Sequence, residues 1–110
     1  MARAAWCAEV EAAVASYDAL LSPTVPIVAP PIAALANDDQ AFFAVNAQLL
    51  RNPSAINFLD GCALSLPCHE AGGWPVGLMI WAPALADDTV LEVGLAIESV
   101  LAGASAGGGT

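Results

Sequence analysis

The side chains best suited to bind a metal lie near the middle of the chain. Cys62, Cys68 and His69 carry thiol and imidazole groups, which are common zinc ligands. A structural zinc site needs four ligands with paired short spacings such as C-x2-C, whereas these three are spread over a predicted strand and its end. We therefore predict no metal site and no cofactor. Together with Cys7 the cysteines are odd in number and irregularly spaced, so we expect reduced thiols rather than disulfides.

A nucleophilic serine is the second candidate. The sequence GASAG, residues 103–107, matches the G-x-S-x-G pattern of a nucleophile elbow, with Ser105 at its centre. That motif needs a tight turn from a strand into a helix, but here it follows a predicted helix and enters a glycine-rich tail. His69 would need a carboxylate to orient its ring as a base, and the adjacent Glu70 points elsewhere on an extended chain. We predict no catalytic residue in these 110 residues.

Charge and apolar content exclude two classes of function. Eleven acidic residues face two arginines, with no lysine, and the formal net charge is -9. Binding to nucleic acid or to an anionic membrane relies on cationic side chains, so neither is expected. Apolar residues make up 58% of the chain, but prolines and glycines interrupt its long apolar runs, so no membrane span is predicted. We predict a cytoplasmic protein.

The first part of the chain predicts a helix, a strand and an extended segment. A helix over residues 2–17 would place one apolar stripe on its face: Trp6, Val10, Val14 and Tyr17. The run ALLS, residues 19–22, suits a buried strand. Residues 23–37 contain four prolines and should be extended over the surface.

Helix-start and helix-stop residues organise the centre of the chain. Asp38 and Asp39 predict the start of a second helix. Asn52 and Pro53 should stop it and begin a further short helix, because proline disfavours helical geometry in the residue before it. Gly61 should end that short helix in the left-handed conformation.

A hairpin and a helix are predicted for the rest of the chain. The runs ALSLP and VGLMIWA predict two strands joined by a loop that contains Gly72 and Gly73. Neither run alternates apolar with polar residues, so both faces of both strands are expected to be covered. Residues 86–103 predict the last helix, with a capping box that begins at Thr89 and a glycine end at Gly103.

This order of elements predicts an α/β fold. Short strands that are buried on both sides cannot be covered by four helices alone, so we expect the sheet to continue in polypeptide outside these residues. We predict a domain segment over residues 1–103 that is incomplete on its own, followed by a flexible tail over residues 104–110.

Three stretches of the sequence, in order, carry a family pattern. YDALLSPTVP, then RNPSAINFLDGCALSLPCHEAGGWPVGLMI, then ADDTVLEVGLAIE, resemble the C-terminal end of the amidase signature family. The pattern is a strand ending in Pro-Thr, an Asn followed by a Gly and a strand ending in Pro-Cys, a Pro-Val-Gly-Leu strand, and a closing helix. The resemblance covers about residues 10–101. It implies the C-terminal part of a mixed β-sheet core flanked by helices.

The resemblance also implies a reaction. Members of the family hydrolyse carboxamides, or transfer the acyl group to another amine, with a serine nucleophile, a second serine and a lysine base. A neutral lysine in a desolvated site can take a serine proton through a bridging hydroxyl. This chain has no lysine and no Gly/Ser-rich signature, so we predict that it is inactive alone and that a small carboxamide is a substrate only of the complete enzyme.

A few residues here are expected, by the same resemblance, to belong to the substrate pocket. The Pro-Thr turn would place Thr24 at the acyl channel, and the helical stretch before Asn57 would add Leu50 and Ser54. Plain helix packing is an equally good explanation of Leu50 and Ser54. Asn57 is expected to bond the backbone near Gly61 rather than a substrate.

Two classes of function remain open at this point. The chain is either a segment of an amide hydrolase, or a non-catalytic folding or interaction module derived from an amidase tail. Its expected partner is the N-terminal amidase portion, and without that portion we expect self-association, because large exposed apolar patches lead to it.

Overall fold

The computed structural model describes the backbone of residues 2–108 and the side chains of residues 2–103. Three strands in the order β1-β3-β2 form a sheet that is antiparallel throughout, with helices on both of its faces. The elements in chain order are α1 (Ala2–Val14), β1 (Leu20–Pro23), α2 (Ile32–Leu35), α3 (Asp39–Leu59), β2 (Cys62–Pro67), β3 (Gly77–Ala82) and α4 (Asp87–Gly108). The predicted α/β class is confirmed.

The hairpin of β2 and β3 forms as predicted. Leu64 lies opposite Ile80, and the Cys68 backbone N–H donates to the Val76 carbonyl, 2.9 Å away, which extends the ladder past the strand ends. Gly72 has a φ of +82°, the left-handed conformation that glycine tolerates best. The prediction that both strands are covered on both faces is wrong for β2. Its burial alternates, with one face exposed at every second residue: Ala63, Ser65 and Pro67.

The core lies between the hairpin and α4. Leu66, Ile80, Ala82 and Val90 form its buried cluster, and Ile80 is fully buried. The last helix differs from the prediction at both ends. It begins at Asp87 instead of being capped at Thr89, and it continues past Gly103. Asp87 and Asp88 in its first turn stabilise it through the helix dipole. The flexibility predicted for residues 104–110 remains a prediction.

Helix α3 is longer than predicted. The Asp38 side chain caps it by accepting a hydrogen bond of 3.0 Å from the Ala41 backbone N–H, as its sequence predicts. The helix then continues through Pro53 instead of stopping there. Proline lacks the N–H that would bond the Leu49 carbonyl, and packing of the flanking turns outweighs that loss. The left-handed residue at the end of the helix is Asp60, with a φ of +60°, and not the following glycine.

The N-terminal helix α1 packs against α3. The Trp6 and Phe58 rings lie 5.3 Å apart, and the Arg3 Nε donates to the Phe58 carbonyl at 2.8 Å. Val14 is buried, whereas Tyr17, predicted to continue the apolar stripe, lies beyond the helix end and is 67% exposed.

Two further findings concern the polypeptide as a whole. Part of the proline-rich segment that we predicted to be extended forms the short helix α2. Within residues 2–108, no helix combines the length and apolar character that crossing a membrane requires.

Candidate functional site

Thr24 follows directly after β1, at one end of the sheet. Its backbone N–H donates to the Gly77 carbonyl at 3.0 Å, which continues the pairing of β1 with β3 by one residue. Pro23, just before it, presents its carbonyl to the Asn52 side chain, whose Nδ2 donates at 2.9 Å. Thr24 is therefore fixed through its own N–H and through the carbonyl of the preceding residue.

The Thr24 side chain meets Ser65 across the central strand. Thr24 Oγ1 and Ser65 Oγ are 2.6 Å apart, a short hydrogen bond between hydroxyls. The two residues come from the strands on either side of β3, and Gly77 lies beneath them. A Cβ atom at Gly77 would lie 2.7 Å from both oxygens. The absence of a side chain at residue 77 thus gives the hydroxyl pair its space.

Asn52 links this end of the sheet to α3. Its Oδ1 accepts a hydrogen bond of 3.3 Å from the Arg51 Nε, while its Nδ2 holds the Pro23 carbonyl. One of the two cationic side chains of this acidic chain is in this way placed beside the Pro-Thr turn.

An apolar cavity of about 250 Å³ lies next to this cluster, between the sheet, α1 and α3. Its polar groups are engaged: Trp81 Nε1 donates to Ser22 Oγ at 3.0 Å, and Asn52 bonds as described above. An apolar wall with a few fixed polar groups at its rim is typical of sites for small organic molecules. The lining residues are Trp6, Val10, Ser22, Asn52, Ala55, Ile56, Leu59, Met79 and Trp81.

The other two predicted pocket residues, Leu50 and Ser54, are on the far side of α3. Each is two residues from Asn52, and at about 100° per residue this is a rotation of roughly 200°. Both are exposed, Leu50 to 52%. Thr24 therefore meets Ser65 and Asn52 in the described chain and not Leu50 or Ser54. A substrate role for these two residues stays a prediction.

The thiols and the histidine form no metal site among the described residues. His69 Nδ1 accepts a hydrogen bond of 3.2 Å from the Val76 backbone N–H, so the ring braces the hairpin loop. Cys68 is exposed, whereas Cys62 packs beside the core. Burial raises the pKa of the Cys62 thiol above its ordinary value of 9.0, and the neighbouring Asp87 carboxylate raises it further. Cys62 is thus poorly suited to act as a nucleophile.

Sequence reasoning missed Ser65, Gly77 and Asn52 as members of the cluster. Ser65 is the one polar residue of β2, and a hydroxyl within an apolar strand was a usable signal. Gly77 at the start of β3 was a second signal, because glycine within a strand often marks a close approach. Their meeting with Thr24 depends on the strand order, which puts β3 between β1 and β2.

The match to a protein family now decides between the readings of the sequence. The family model described as Amidase matches residues 1–91. The chain belongs to the amidase family. The resemblance of its motifs to amidase signature proteins is therefore confirmed, and this amidase segment carries the Pro-Thr turn and the hairpin within the matched residues.

Relatives of this amidase segment are similar over most of its length. A glutamyl-tRNA(Gln) amidotransferase protein from Salinispora tropica is 44% identical over 84 residues, which are 76% of this chain and 16% of that protein. The protein of the same name from Streptomyces coelicolor is 40% identical over 93 residues, 83% of this chain and 18% of its own length. The segment thus spans less than a fifth of these curated relatives. No solved structure matches it.

Proposed function

We propose that this chain is the C-terminal segment of an amidase-signature enzyme that cleaves the C–N bond of a carboxamide. The observation that carries the proposal is the family match over residues 1–91. The names of the relatives describe transfer of an amide group, and the family resemblance includes hydrolysis. Both outcomes begin with cleavage of a carboxamide by a serine nucleophile, which releases the amine and leaves an acyl-enzyme. The proposal is made for this shared step.

The catalytic groups of that step come from elsewhere in the enzyme. The 110 residues contain no lysine, and the proposed mechanism uses a lysine as the base for a pair of serines. The segment contributes one end of the sheet and part of the substrate-binding surface. Its fixed Pro-Thr turn beside an apolar cavity supports this role.

The partner of the segment is the N-terminal amidase portion. Large apolar side chains lie exposed on the described chain, among them Phe43 at 65%, Ile32 at 86% and Leu95 at 67%. Contiguous exposed apolar surface generally marks a contact with another chain or another part of the same protein. Self-association in the absence of that portion and a cytoplasmic location remain predictions of the sequence.

A chimeric enzyme tests the proposed function. The matched 84-residue segment of the Salinispora tropica protein is replaced by the corresponding residues of this chain. Ammonia release from simple carboxamides is then measured, with a variant that lacks the segment as control. We expect a folded chimera that releases ammonia, no activity in the deletion variant, and no activity in the 110-residue chain alone. A folded chimera without activity would contradict the proposal, and activity of the isolated chain would contradict the assignment of the catalytic groups to another part of the enzyme.

A further inference from the structure

The hydroxyl pair of Thr24 and Ser65 has unused hydrogen-bonding capacity. Two hydroxyls carry two hydrogens, and the bond between them uses one. Within residues 2–103 neither oxygen has another hydrogen-bond partner. The pair therefore keeps one free donor and several lone pairs at a surface where Ser65 is exposed and Thr24 is half-buried.

The pair is also held in place before any ligand arrives. The Thr24 backbone is paired to Gly77, and Asn52 fixes the carbonyl just before it. Ser65 lies within a paired strand, opposite Met79. Groups that are already ordered lose little entropy when they bind, so a single hydrogen bond from such a pair has a measurable effect on affinity.

We propose that the Thr24–Ser65 pair is a polar anchor for the substrate, in which Ser65 positions the Thr24 hydroxyl so that Thr24 donates to a neutral carbonyl oxygen. This inference rests on the proposed function and adds Ser65 to it. When Ser65 accepts from Thr24, the Thr24 hydrogen is consumed. When Thr24 Oγ1 accepts from Ser65, the Thr24 hydrogen is free for the substrate. Because both hydroxyls are neutral, the ligand they suit is an uncharged amide or acyl oxygen.

The direction of that bond assigns the two residues different roles. Thr24 contacts the substrate, whereas Ser65 acts through Thr24 and is a positioning residue. Loss of either hydroxyl weakens substrate binding, but loss of both should be no worse than loss of Thr24 alone. This non-additivity separates a positioning role from two independent contacts.

The test uses the chimeric enzyme and compares kcat with KM. We expect Thr24→Val, Ser65→Ala and the double variant each to raise KM by about 3- to 10-fold, the range of one hydrogen bond, with kcat within about twofold. Ser65→Thr keeps a hydroxyl and should restore most of the lost affinity. Ser99→Ala, an exposed serine on α4, is the matched control and should change neither constant. Melting temperatures show whether a variant is folded.

Each outcome decides the inference. Unchanged KM in folded Ser65→Ala would overturn it, as would equal loss in kcat without a change in KM. Additive losses in the double variant would show that Ser65 does not act through Thr24. A folded chimera that is inactive before any substitution would contradict the proposed function, and with it this inference.

Discussion

The two faces of the sheet are packed to different degrees. On the α4 side, Ile80, Ala82 and Val90 are 0%, 1% and 3% exposed, and Gly94 of the helix lets its backbone approach Leu64. On the α1–α3 side, the helices leave the apolar cavity of about 250 Å³. The first face is built from β2, β3 and α4, which follow each other in the chain. The second joins elements far apart in sequence, so its closure costs more chain entropy.

This difference indicates which part of the segment stabilises the fold. A local hairpin–helix unit can form a dry core from neighbouring residues. The opposite side has the elements of a core but not its density, since protein interiors have few voids larger than a water molecule. We therefore regard the α4 side as complete and the α1–α3 side as the one completed by the rest of the enzyme.

The largest effect is expected at Ile80. Ile80→Ala removes a fully buried side chain from the packed face, and should lower the free energy of unfolding by about 2–5 kcal/mol. Leu21 is its partner in register on β1 and is 56% exposed. Leu21→Ala is the matched control and should cost less than about 1 kcal/mol. Urea denaturation measures both, and equal losses would show that the two sites are not differently packed.

A pair of enlargements should have opposite signs on the two faces. Ala82→Leu adds bulk to a position that is 1% exposed, and overpacking there should cost about 1–3 kcal/mol. Ala55→Leu points into the cavity, and burying the added methyl groups should raise stability by about 0.5–1 kcal/mol. Thermal melting of both variants checks this. Destabilisation by Ala55→Leu as large as by Ala82→Leu would mean that the cavity is not available to a side chain.

The smallest effect concerns thiol chemistry on the packed face. Because burial raises the Cys62 pKa above 9.0, its thiolate is scarce at pH 8, and modification by a thiol reagent should be about tenfold or more slower than at exposed Cys68. The raised pKa also favours the neutral thiol in the folded state. Stability is therefore unaffected below pH 9 and falls as the pH rises from there through the folded-state pKa. Mass spectrometry of modified peptides gives both rates, and equal rates at pH 8 would contradict the assignment of Cys62 to the packed face.

Much of the fold, and less of the site, could be predicted from the sequence. The hairpin, the Asp38 cap and β1 have local signals in residue type and spacing, so they were predicted. The continuity of α3 through Pro53 was not, because the stop signal of proline is local whereas the packing that overrides it is tertiary.

For the site, Thr24 was predicted through the family resemblance and its neighbours were not. The contact of Ser65 with Thr24 joins residues 41 apart in sequence, and it depends on β3 being inserted between their strands. Glycine at residue 77 indicates a close approach without saying to what. Local patterns therefore located the elements, and only the strand order brought their side chains together.

The most direct test of an incomplete α1–α3 side is amide hydrogen exchange on this chain, with and without the N-terminal portion of the Salinispora tropica relative. Alone, the amides of β3 and of α4 around Val90 should be the best protected, with α1 and α3 exchanging at least about tenfold faster. Adding the N-terminal portion should slow exchange in α1 and α3 and leave β3 nearly unchanged. Equal protection on both faces of the isolated chain, with no response to the N-terminal portion, would contradict the claim that this segment is completed by the rest of an amidase.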